Sequence, residues 1–328
     1  MIAFIKQQPK WGFVCGRISL LEGRLSTQDF FLSLIAQDRV DDLVPQLQDT
    51  YLGEYLDPAS PWKDFSALAD RCFHDRVMSL RENCPSTVPA DLFLLQGDYL
   101  NVRNALLGAG AYPFSPGLVT LDSVGAVAGG GAADLPGPLG AAVSRLLGDT
   151  GEVDPAAVDA VLDGAYLRHV LELCGELGAP LVSAWAQDYV LGRAVVVLWR
   201  TLRQHRPLKL YQQSLLPLGE LSSVCTELIG TADPSAWPGI VGGEIGDYLA
   251  ESVNAPEDEQ AARFELLVAN HLTRLAKAGR MQTAGPERVF SFIGGLCVEM
   301  QNLRLVVCGL LSRIAPDVLR NRLRECYA

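Results

Sequence analysis

An all-α fold is the class this sequence predicts, and three observations predict it. Long segments carry apolar residues at helical spacing, no segment alternates apolar and polar residues as a half-buried strand does, and one six-residue pattern recurs three times within helical stretches. The pattern is an acid with an arginine five residues on. It reads Asp98-Tyr99-Leu100-Asn101-Val102-Arg103, then Asp188-Tyr189-Val190-Leu191-Gly192-Arg193, then Glu299-Met300-Gln301-Asn302-Leu303-Arg304. On a helix of about 3.6 residues per turn the two charges stand about 140° apart, so each must find a different neighbour.

A second marker precedes each signature, a turn leading into a helix start: Leu25 to Asp29, Val119 to Asp122, and Leu216 to Glu220. The intervals from Asp29 to Asp98 and from Asp122 to Asp188 are nearly equal, and that from Glu220 to Glu299 is somewhat longer. Two markers in the same order predict three related helical units, residues 1–112, 113–206 and 207–328.

The first unit opens with three short helices, Gly12 to Gly23, Thr27 to Gln37 and Asp41 to Gln48. Thr27 is a suitable N-cap, and Asp41 and Asp42 complement the positive start of the third helix. Longer helices follow over Phe65 to Asn83 and Asp91 to Leu107, and the turn-rich Tyr112 to Gly117 marks the first boundary. In the second unit Thr120 is again an N-cap candidate, and Gly129-Gly130-Gly131 with Leu135-Pro136-Gly137-Pro138 form a flexible connection rather than a phosphate loop. Helices then cover Leu139 to Leu147, Pro155 to Leu177 and Pro180 to Arg203, and Arg206-Pro207 gives the second boundary. In the third unit Pro217 suits a first helical turn. A helix over Glu220 to Leu228, a Pro/Trp/Gly stretch at Asp233 to Gly243, and a helix over Glu257 to Ala278 lead to one long helix from about Val289 and a short basic one. Apolar residues fall all round the long helix, which predicts burial, and Glu299, Asn302 and Arg304 within it require partners.

Composition narrows the function. With 49% hydrophobic and 20% charged residues over 328 positions, the chain can bury a large core. A net charge of −11 argues against a nucleic-acid partner, because phosphate binding needs clustered bases. Eight scattered cysteines without C-x-x-C spacing point to free thiols in a reduced, cytoplasmic compartment. His74, His169, His205 and His271 lie far apart and none has a zinc-spaced companion. Gly294-Gly295 lacks the preceding strand of a dinucleotide fingerprint, and no G-x-x-x-x-G-K-[ST] occurs. Acidic pairs such as Asp41-Asp42 read as helix-start charges. No catalytic, cofactor-binding or metal-binding residue is therefore predicted. Met1 to Pro9 is too short and polar for a signal peptide, and no apolar run is read as long enough to span a bilayer.

The two ends carry a resemblance. Trp11-Gly12-Phe13-Val14-Cys15-Gly16-Arg17, Leu21-Glu22-Gly23-Arg24-Leu25 and Asp49-Thr50-Tyr51-Leu52-Gly53-Glu54-Tyr55-Leu56 resemble the opening of the family of C subunits of archaeal and bacterial V/A-type ATPases, called d subunits in eukaryotic V-ATPases. The ending from Glu299 to Val307, then Ser312 to Arg324 and Tyr327, is similar to that family's close. The likeness departs at Leu191-Gly192, at Gly309-Leu310-Leu311 without the customary lysine, and in the glycine-rich tract.

The resemblance implies three similar helical sub-domains arranged as a pseudo-three-fold funnel. It implies a non-catalytic coupling subunit of the central stalk, one copy per complex, with no cofactor. Its partners would be the rotor shaft subunits of the D/F type and the proteolipid c-ring, on the cytoplasmic face and peripheral to the membrane. Asp98, Asn101, Arg103, Asp188, Arg193, Glu299, Asn302 and Arg304 are then structural, the arginines bridging helices inside their own units; a competing placement sets them on the funnel lining against the shaft. Two other classes stay open, a helical-repeat scaffold unrelated to rotary ATPases and an all-α enzyme with a site assembled from distant residues.

Overall fold

The computed structural model describes residues 9–37, 39–57, 59–109, 117–131, 135–148, 153–215 and 217–328. The reading of the N-terminus and most of the first predicted boundary fall outside them. Among the described residues no strand occurs, and the α-helices in chain order are α1 (Gly12–Leu21), α2 (Gln28–Ile35), α3 (Val44–Leu47), α4 (Phe65–Arg81), α5 (Val88–Leu106), α6 (Leu121–Ala128), α7 (Gly137–Leu147), α8 (Pro155–Leu177), α9 (Pro180–Arg203), α10 (Gln212–Leu215), α11 (Ser222–Gly230), α12 (Trp237–Val241), α13 (Gly243–Val253), α14 (Gln260–Ala278), α15 (Pro286–Leu311) and α16 (Pro316–Arg322). Short 3-10 turns introduce or close several of them. The chain divides into two compact bodies, one of Met1–Phe93 with Thr273–Ala328 and one of Leu94–Leu272.

Both predicted threonine caps are in place. Thr27 Oγ1 accepts from the Phe30 N–H ahead of α2, and Thr120 Oγ1 from the Ser123 N–H ahead of α6. Other boundaries moved. Asp41 to Gln48 splits into a 3-10 turn over Val40–Leu43 and the four-residue α3. Pro217 stands before a 3-10 turn at Gly219–Leu221, so it is not in the first turn of α11. The Pro/Trp/Gly stretch holds α12 and opens α13, a helix sequence reasoning missed: Gly242 and Gly243, both with positive φ, break the chain between them.

In the first body α15 is the central helix, packed against α1, α2, α4 and α16. Val289, Phe290, Ile293, Leu296, Leu303, Val306 and Val307 along it are fully buried, each worth about 1.5–3 kcal/mol in transfer from water. The C-terminal residues after α16 have no regular structure, yet they are fastened. Tyr327 lies so close to Gly295 that a Cβ there would collide with its ring. Its hydroxyl donates to Glu22 Oε1 at 2.6 Å, and Glu22 pairs with Arg288 at 2.5 Å, both charged side chains only 9–10% exposed.

In the second body α8 packs against α7, α9 and α10. Tyr99, Tyr166, Tyr189 and Trp185 form a run of neighbouring rings, with the Tyr166 and Tyr189 hydroxyls 2.7 Å apart and Trp185 stacked on Tyr189 at 4.7 Å. By length and hydropathy, α9 and α15 are each apolar enough to cross a bilayer, contrary to the sequence reading. Half of that stretch in α9 and 67% in α15 is buried inside the fold, which is how core helices behave. All eight cysteines are free thiols, buried or half-buried. Burial pushes Cys72, Cys84 and Cys174 up to about 12 and Cys225 up to about 11.

Candidate functional site

The three signatures supply the candidate site, and two of them do the same thing atom for atom. On α15, Glu299 is 4% exposed and its Oε2 accepts the Ser26 backbone N–H at 2.8 Å. Ser26 directly precedes Thr27, the N-cap of α2. On α5, Asp98 is 1% exposed and its Oδ1 accepts the Val119 N–H at 2.7 Å. Val119 directly precedes Thr120, the N-cap of α6. The carboxylate thus captures a backbone donor lying just outside the start of a helix, where an anion is also favoured by the helix dipole. Gly117 is required beside Asp98, since a Cβ at that position would occupy the place of the carboxylate.

The arginines repeat the correspondence. Arg304 pairs with Asp70 on α4. Arg103 pairs with Asp163 on α8 at 2.6 Å and with Asp159, one turn away, at 3.2 Å. Asp70 stands as far along the chain from Gln28, the first residue of α2, as Asp163 stands from Leu121, the first of α6. So the signature of one stretch of sequence holds both the helix start and a later carboxylate of another. These pairs cross the unit boundaries read from sequence, Arg304 reaching residues of the first unit and Arg103 those of the second; the expectation that the arginines bridge inside their own units is corrected.

The second signature departs in its acid. Asp188 Oδ2 meets His271 Nε2 at 2.8 Å, and His271 Nδ1 meets Glu244 Oε2 at 2.7 Å, the imidazole being 7% exposed between two carboxylates. Tyr248 packs its ring on His271 at 5.6 Å. Arg193 lies in the field of Asp163 and Glu265. Glu265 follows Ser222, the first residue of α11, at an interval one residue longer than that separating Asp70 from Gln28, so the register of the other two is nearly kept. Gly192, where the other signatures carry valine or leucine, lies against Val268, and a side chain there would collide with it.

Asn302 is fully buried and reads the backbone of Arg324 in both directions, Nδ2 donating to its carbonyl and Oδ1 accepting its N–H, each at 3.0 Å. Asn101 is equally buried. Among the described residues no group of three or more His, Cys, Asp or Glu is arranged to hold a metal ion. A family model described as ATP synthase (C/AC39) subunit matches residues 14–322, which takes in all three signatures and the carboxylates that pair with their arginines. The chain belongs to the C/AC39 family. No curated protein matches its sequence.

C/AC39 membership makes the chain a subunit of a rotary ATPase. Burial pushes Glu299 up to about 7, against the opposing bond from Ser26 and the charge of Arg24. Burial likewise raises Asp70 and Asp163, with Arg304 and Arg103 acting in the opposite sense. The sign of the Glu299 effect is definite. Between its ordinary 4.5 and about 7 the folded chain binds more protons than the unfolded one, so this group's contribution to stability falls as pH rises through that window, by about 3 kcal/mol in all. Glu299→Gln removes the titration and keeps an acceptor for Ser26. Its stability relative to wild type should rise from pH 4.5 to pH 7.5 in denaturant melts; parallel curves for the two proteins would refute the shift.

Proposed function

We propose that this C/AC39 chain is the central-stalk coupling subunit of a V/A-type rotary ATPase, joining the rotor shaft to the membrane proteolipid ring on the cytoplasmic side and passing torque between them. The match over residues 14–322 is the observation that carries the reading. The interlocks support it physically. A coupling part must transmit load without storing torsion, and the first and third signature helices are each tied to two other elements, a helix start and a further helix, from positions about 140° apart around the axis. We also propose the three-unit division, with the third signature gripping the first unit, the first gripping the second and the second gripping the third. Such an order is what a pseudo-three-fold funnel requires. The signature residues are structural in this reading, and the chain has no catalytic site of its own.

The test is affinity purification of the tagged chain from gently solubilised membranes of its own source, followed by native mass spectrometry. One copy of the chain with a proteolipid ring and shaft subunits is the expected result. A monomer recovered alone from the soluble fraction, with ring and shaft assembled without it, overturns the reading.

A further inference from the structure

The corner joining α15 to α16 is basic and partly apolar in a chain that is acidic as a whole. Between Leu311 and Arg324 the chain has four arginines and one aspartate, whereas acids outnumber bases 38 to 27 over its whole length. Leu311, Ile314 and Val318 are 45%, 37% and 41% exposed, three large apolar side chains on show close together. Arg313 and Arg322 are exposed and make no ion pair among the described residues. Leu319 and Leu323 face inward, with Leu319 seated against Gly309, so Val318 and Arg322, one turn apart, form the outward row of α16.

The corner is also held in a costly shape. The Ile314 N–H bonds the Gly309 carbonyl and the Arg313 N–H bonds the Leu310 carbonyl, a full Schellman closure of α15. The residue that must then adopt the left-handed conformation is Arg313, at φ 55°, where glycine is the residue of least strain. An exposed arginine at that position carries a local strain that glycine would not, as Asp64 and His205 do elsewhere in the chain.

We propose that the corner from Leu311 to Arg322 is a docking surface for an acidic, partly apolar segment of another protein subunit, an inference that rests on the coupling reading for the assembly in which that subunit is found. Charge complementarity selects an acidic partner. A protein fits better than an anionic bilayer, because Asp317, 88% exposed, stands in the middle of the patch and a uniform negative surface would repel it. A seven-residue helix also offers too little apolar face to lie in a membrane interface.

The test places p-benzoylphenylalanine at position 318 of the full chain in its own cells, followed by irradiation and peptide mapping. An adduct with an acid-rich peptide of a shaft or ring subunit is the expected result. An acid-rich peptide from a protein outside any rotary ATPase keeps the docking surface and sinks the coupling reading. An adduct with phospholipid, with a second copy of the chain, or no adduct overturns the surface. Arg313→Glu with Arg322→Glu should lower the adduct yield at least tenfold at an unchanged melting temperature. Arg313→Gly should raise the melting temperature by relieving the left-handed strain and still lower the yield; an undiminished yield in either variant overturns the proposal.

Discussion

Glu22→Ala is expected to destabilise the first body by about 3–5 kcal/mol, lowering its melting temperature by about 10 °C. Arg288 would then be a charge only 10% exposed whose remaining acceptor is the Arg280 carbonyl, and Tyr327 would lose the carboxylate that receives its hydroxyl. Both losses bear on one place, where the turn after α1, the start of α15 and the C-terminal residues meet. Glu22→Gln keeps an acceptor for Tyr327 and Arg288 but not the opposite charge, so it should lose roughly half as much. Thermal melts of the purified chain decide the matter. If the two variants melt within about 2 °C of wild type, the burial of the pair contributes nothing and the account of the C-terminal anchor fails.

Arg304→Ala should lower stability by about 2–3 kcal/mol, because Asp70 is left half-buried without its partner. Asp70→Asn in the same chain should restore most of the loss, since an amide in that position no longer requires a cation. A double-mutant cycle on these two residues measures the coupling, and the same cycle on Arg103 and Asp163 should give a similar value, the two pairs having the same register. On the coupling role proposed above, the variant, folded at low temperature, should still copurify with shaft subunits. A normal melting curve with shaft binding lost would reassign Arg304 from the fold to an interface.

What could be read from the sequence was local. Thr27 and Thr120 were legible as caps because an N-cap is chosen by the residues next to it, and the acid-to-arginine signature was legible because it is contiguous. The partners were not legible. Asp70 is 234 residues from Arg304 and His271 is 83 from Asp188, and periodicity within a helix says only that a buried charge needs a partner, not which helix brings it. The crossing of pairs from one unit to the next was misread for that reason: an arginine set among leucines and valines looks as if it serves its own neighbourhood. A faint signal did exist, since Asp70 and Asp163 stand at equal distances from their capped helices. α13 was missed because one glycine precedes it and a second opens it, and because its apolar positions are few, Ile245 and Leu249 being its buried large residues. Burial of α9 and α15 was a tertiary fact, and length with hydropathy could not separate core from bilayer.

The first body is discontinuous in the chain, and this fixes an order of events during synthesis. Its N-terminal part ends at Phe93 and its other part begins at Thr273, so the whole run Leu94–Leu272 is translated between them. At about 5–20 residues per second a ribosome needs on the order of 10–40 s to cross that interval. Through all of it α1, α2 and α4 lack α15, the helix they pack against, and Phe31, Leu34 and Ile35, fully buried in the finished fold, stand in water or on a chaperone. The second body is one unbroken run and can close while α15 is still unmade. The portion of the chain translated first is therefore completed last, the reverse of the usual N-terminal order.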